Sequence, residues 1–87
     1  MIKGVSMEIR NRVRLSVAAY AYEFENTSIM TDAEFDRLCQ QIDVSVTTGN
    51  EVLDKFFKKH FDKSTGMWVR SHPDIAGLKR IYNDFYK

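Results

Sequence analysis

Eighty-seven residues with six Phe, four Tyr and one Trp suffice for one small packed domain, but not for a core plus a deep enclosed active site. The 44% hydrophobic content excludes wholesale disorder, and the single Cys39 excludes an intramolecular disulfide and a Cys-based zinc site. Net charge is only +1, which speaks against non-specific nucleic-acid binding, but it is unevenly spread. Residues 1–22 carry Lys3, Arg10, Arg12 and Arg14 against Glu8, and residues 52–87 carry eight bases against four acids. Between them, residues 23–51 carry seven acids against Arg37. That acidic block either pairs with the basic ends or faces a basic partner. No apolar run is long enough for a membrane span or a signal-peptide core, so a cytoplasmic protein is expected.

Four helices and no strand are predicted. The first runs from about Ser6 to Glu25, with Ile9, Val13, Val17, Tyr20 and Phe24 recurring at helical spacing as its inward face. Asn26, Thr27 and Ser28 end it. The second opens on Thr31-Asp-Ala-Glu34, a capping box, with Met30 and Phe35 placed as a hydrophobic staple. Asp32 and Glu34 also suit the positive end of its dipole. Phe35, Leu38, Cys39, Ile42 and Val46 face inward, residues 44–48 fray, and Gly49 is the expected stop.

The third helix spans about Asn50 to Phe61, with Thr48 to Glu51 a second capping box and Val52, Leu53, Phe56, Phe57 and Phe61 as its apolar face. Asp62 to Gly66 is a turn, and Met67 to Arg70 is extended and packed through Trp68. The fourth begins at Pro73 and turns Ile75, Leu78, Ile81, Tyr82 and Phe85 inward. The expected fold is a single all-α domain over 1–87, with residues 1–48 forming a helical hairpin and 49–87 the C-terminal helices.

One stretch carries more than helix signals. Tyr20-Ala-Tyr22-Glu23 is followed, after a short turn, by Asp32-Ala-Glu34-Phe35-Asp36-Arg-Leu38. This pattern, about 20 of the 87 residues, resembles the N-terminal helical subdomain of NAD-dependent DNA ligases. That subdomain grips the nicotinamide half of NAD. The resemblance implies a pocket in which Tyr22 and Phe35 stack on a cationic nicotinamide ring while Asp32 and Asp36 accept ribose hydroxyls and offset its charge. Two positions depart from the family. Glu23 stands where the family has His, so a phosphate donor becomes an anion that repels phosphate. Phe35 replaces a Tyr and keeps the ring face without the hydroxyl. No Lys-x-Asp-Gly nucleophile motif occurs, so ligation is not expected. The family's His-Pro matches His72-Pro73 only if residues 44–71 are an insertion. Short stand-alone relatives of the subdomain resemble phage and prophage accessory proteins.

Two functions follow. The first is a non-catalytic interaction protein of the phage accessory type, binding a host or phage protein through the acidic 23–43 surface, including Glu34 and Asp43, or through the Thr65–Arg70 loop with Trp68 and Arg70. The second is a binder of nicotinamide mononucleotide or NAD through Tyr22, Glu23, Asp32, Phe35 and Asp36. The first is preferred because Glu23 opposes the phosphate and a pocket from one hairpin is shallow. No resident cofactor or metal, and no enzyme activity, is expected: His60 and His72 lack metal-ligand spacing, and no nucleophile–base pair is evident. Cys39 reads as a small core residue, and Lys55, Lys58, Lys59 and Lys63 as a solvated face.

Overall fold

The computed structural model describes residues 3–87, and it is all-helical, with no strand among the described residues. Four α-helices, α1 (Lys3–Phe24), α2 (Asp32–Gln41), α3 (Glu51–His60) and α4 (Ile75–Phe85), are joined by loops and a 3-10 helix over Met67–Ser71. They form one small domain with a radius of gyration of 12.2 Å. Its axis is α1, which packs against α2, the 3-10 helix and α4.

The burial of α1 corrects the expected face. Its second half is buried nearly all round: Leu15, Ser16, Val17, Ala18, Ala19, Tyr20 and Ala21 all lie inside. Three alanines let neighbouring backbones approach there, and they also favour the helix. In the first half the buried residues are the polar ones, Glu8, Asn11 and Arg12. Ile9, Val13 and Phe24, expected inside, are substantially exposed. Helix α1 ends with Asn26 at φ 53, and the Thr27 and Glu25 N–H groups both donate to Ala21 O at 3.1 Å. A short polar side chain in the left-handed region closes such a terminus.

The capping box at α2 forms as predicted. Glu34 N–H donates to Thr31 Oγ1, and Thr31 N–H donates to Glu34 Oε1, each at 3.1 Å. The helix stops at Gln41, however, well short of Gly49. The cause lies on α1. Glu8 and Arg12, each about 4% exposed, form an ion pair at 2.6 Å. Glu8 accepts the Asp43 N–H, and Arg12 donates to Asp43 O at 2.9 Å and Val46 O at 3.1 Å. Arg12 Nη1 also meets Asp54 Oδ1 of α3 at 2.9 Å. Helical geometry through 43–46 would strip this pair of those partners, and a buried charge without partners costs several kcal/mol. The loop therefore wins over the local helix preference. Gly49, at φ +93, turns the chain into α3, a conformation other residues adopt only with strain.

Further boundaries shift for similar reasons. Asn50 rather than Thr48 caps α3, accepting the Leu53 N–H at 3.1 Å. Thr48 is engaged elsewhere: its Oγ1 donates to Asp54 Oδ1 at 2.6 Å. Val52 points to solvent. Residues 67–71 coil into a 3-10 turn instead of extending, while Trp68 packs inward as expected, with ring centroids 5.3–6.1 Å from Phe56, Phe57 and Phe61. Helix α4 starts at Ile75, with Asp74 as its cap accepting the Gly77 N–H at 3.0 Å, two residues after the expected Pro73. Phe85, expected inside, is largely exposed.

Candidate functional site

The second half of α1 and the first turn of α2 enclose a cleft of about 230 Å3. Tyr22 and Glu23 come from α1, Asp32 and Phe35 from α2. The connecting segment Ser28–Met30 forms one rim and Thr65-Gly66 another. The capping box sets the cleft's shape: it fixes where α2 begins, and so puts Asp32 and Phe35 in its first turn. Gly66 has its own requirement. A Cβ there would stand 3.2 Å from Phe35 Cζ and 3.4 Å from Ala19 Cβ, so the bare backbone lets the turn close over the aromatic ring.

Four of the five residues singled out for a ligand therefore line one cavity. Asp36, the fifth, does not line it. Tyr22 is 67% exposed and offers its ring to solvent. Glu23 is held by Arg70, whose Nε and Nη2 both lie 2.8 Å from Glu23 Oε1. The guanidinium also sits 5.8 Å from the Phe24 ring centroid, at cation–π distance. The isolated anion expected at position 23 is thus a half of an ion pair, with the cationic half more exposed than the acid. Its repulsion of a phosphate is correspondingly reduced.

The residues expected on an interaction surface divide differently. Trp68 is 5% exposed and belongs to the core, so the 65–70 loop shows Met67 (59% exposed) and Arg70 rather than the indole. Glu34 lies on the surface but serves the cap, and its hydrogen bonds from the Thr31 N–H and hydroxyl lower its pKa. Asp43 is exposed and accepts from Ser45 Oγ and Ser45 N–H, which hold its carboxyl below the usual value. Asp32 lies beside the cleft in the first turn of α2.

Other titratable groups lie apart from the cleft. Burial pushes the Cys39 thiol up to about 11. Tyr20, buried and donating to Glu25, is pushed up to about 12. The His72 imidazole is half-buried, its pKa lowered by burial, and its Nδ1 accepts the Asp74 N–H at 2.9 Å. His60 ends α3 with its ring 5.4 Å from Phe56. Among the described residues, no three His, Cys, Asp or Glu side chains converge as a metal site would require, and no helix is long and apolar enough to cross a membrane.

Sequence reasoning missed Gly66 as part of the cleft, Arg70 as the partner of Glu23, and Glu8–Arg12 as a buried pair. The pair had a signal: an acid and a base four residues apart on a helix are positioned to meet. The 47-residue separation of Glu23 and Arg70 had none. No protein-family model matches the chain, and neither a curated protein nor a solved structure is significantly similar to it.

Proposed function

We propose that the chain is a small non-catalytic binding protein whose recognition face is the Tyr22 cleft, acting on a host or phage protein in the manner of a phage accessory factor. The observation that carries this reading is the rim. Tyr22 of the cleft wall is open to solvent, Met67, which follows Gly66 of the rim in sequence, is exposed too, and Arg70 pairs with Glu23 of the wall and lies on Phe24. Tyr, Met and Arg are the residue types enriched where proteins bind one another, and a tyrosine loses little entropy on being fixed. Because Trp68 is in the core and Glu34 and Asp43 serve local hydrogen bonds, the rim is favoured over the acidic surface. Affinity capture from a bacterial lysate tests the reading: wild-type protein should retain a partner that Tyr22→Ala and Met67→Ala lose. A partner held equally by all three would place recognition elsewhere.

A second reading, a binder of nicotinamide mononucleotide or NAD, is supported by the lining of the same cleft. Tyr22 and Phe35 offer ring faces, Asp32 offers a carboxylate, and the Glu23–Arg70 pair softens the objection to a phosphate. At about 230 Å3 the cleft lies below the roughly 300–1,000 Å3 typical of ligand pockets. It therefore suits a single ring rather than a whole dinucleotide. An amide-shift titration with nicotinamide mononucleotide, NAD and AMP separates the readings. Saturable shifts around Tyr22 and Asp32 with the first two alone would favour the nucleotide; silence at millimolar ligand would rule it out.

A further inference from the structure

A second concavity, of about 520 Å3, lies between the first half of α1, the start of α3 and α4. It shares no lining residue with the Tyr22 cleft. Its apolar walls include Ile9 and Val13 of α1, Leu53 of α3 and Ile81 of α4. Ile9 and Val13 remain 43% and 39% exposed, though they continue the helical spacing of Val17 and Tyr20, which are buried. Along α1 the lining runs from Ile9 to Ser16. That is two helical turns, about 10 Å at 1.5 Å per residue. A groove of that length accepts a partner helix through apolar side chains at i, i+3 or i+4, and i+7.

Charge selects the kind of helix. The acids in and behind this groove are already engaged: Asp54 accepts from Arg12 and Thr48, Glu8 from Arg12, and Asp74 caps α4. Arg80 lines the groove, and Arg10 follows Ile9 on the exposed side of α1. Neither forms an ion pair with a described residue. Most of the lining comes from the two net-basic segments, and its members from the acidic block, Thr48 and Asn50, are uncharged. We propose that this groove docks an acidic amphipathic helix of a partner protein. Its apolar side chains would lie among Ile9, Val13, Leu53 and Ile81, with its carboxylates toward Arg10 and Arg80. The apolar stripe supplies affinity, and the two arginines supply sign selectivity and a salt-dependent association.

The test uses two synthetic helical peptides of about 18 residues, long enough to form a helix. Both carry the same Leu stripe, one with Glu and the other with Lys at the flanking positions. They are titrated into the isotope-labelled full chain. The Glu peptide should shift the Ile9, Val13, Leu53 and Ile81 methyl signals saturably and bind at least tenfold tighter than the Lys peptide. Its affinity should fall as salt rises. Arg80→Glu should reverse the preference and Ile9→Ser should weaken both peptides about tenfold; both positions are exposed, and unchanged amide spectra would show that the fold persists. Equal binding of the two peptides, no shifts at millimolar peptide, or shifts confined to the Tyr22 cleft would overturn the proposal. So would concentration-dependent broadening of these methyls without peptide, since a second copy of the chain would then fill the groove.

Discussion

The two halves of α1 are anchored by different physics. From Leu15 to Ala21 the helix is enclosed by apolar neighbours, and its alanines leave room for them. From Glu8 to Arg12 it is held by an ion pair that reaches the loop backbone at Asp43 and Val46 and the side chain of Asp54. The enclosed half offers Tyr22 at its far end, while the charge-held half leaves Ile9 and Val13 uncovered. Packing is insensitive to pH, though it responds to each methylene removed. A buried charge network depends on every member and on its protonation.

Substitutions at the two halves should separate these behaviours. The largest effect is expected for Arg12→Ala, which leaves Glu8 buried without its cation and frees the 43–46 loop. Loss of one member of a buried pair costs about 3–5 kcal/mol. In a domain of this size that lowers the melting temperature by more than roughly 10 °C, since each kcal/mol is worth about 4–8 °C. Thermal denaturation checks it, and a drop of only a few degrees would show that the loop holds itself. Leu15→Ala, in the enclosed half, removes a fully buried side chain and should cost about 2–5 kcal/mol. The mutants should differ on acidification. Urea denaturation at pH 7 and pH 3 should give Leu15→Ala the same deficit at both, and Arg12→Ala a smaller deficit at pH 3.

That difference follows from Asp54. Its hydrogen bond from the Thr48 hydroxyl, and secondarily Arg12, lowers its pKa in the folded state. A depressed carboxyl pKa stabilises the fold above the unfolded value, about 3.9, and the contribution disappears as pH falls through the folded value. Thr48→Val should therefore flatten the acid limb of the stability profile. His72 adds a separate effect of the same direction. Its folded pKa is lowered by burial, so the neutral ring is favoured by folding, and stability is lost as pH falls below about 6.5. Proton NMR of the His72 ring should show a midpoint below that value. The smallest stability effect is expected for Tyr22→Ala, within about 0.5 kcal/mol as for other exposed positions. Its consequence should be in binding alone.

Legibility in the sequence followed the range of the interactions. The all-helical class, the start of α2 and the turn before the 3-10 helix were readable because their hydrogen bonds close within a few residues, as between Thr31 and Glu34. The inward packing of Trp68 was readable from its bulk. The face of α1 was not: its second half is surrounded, so apolar periodicity no longer marks one side there, and its first half buries the polar Glu8, Asn11 and Arg12 in place of Ile9 and Val13. Nor was the end of α2, decided by contacts that Glu8 and Arg12 make 31–35 residues away. The cleft was half legible. Tyr22, Asp32 and Phe35 came from one local pattern, whereas Gly66 of the rim, and Arg70 that pairs with Glu23, arrive from a distant segment with no spacing to announce them.

The most direct measurement is a paired affinity capture from bacterial lysate with wild-type protein and Tyr22→Ala, with amide spectra of both recorded to establish a common fold. A binding face at the Tyr22 cleft predicts a partner retained by the wild type and lost by the variant. Identical captured proteins for the two, from equally folded chains, would contradict it.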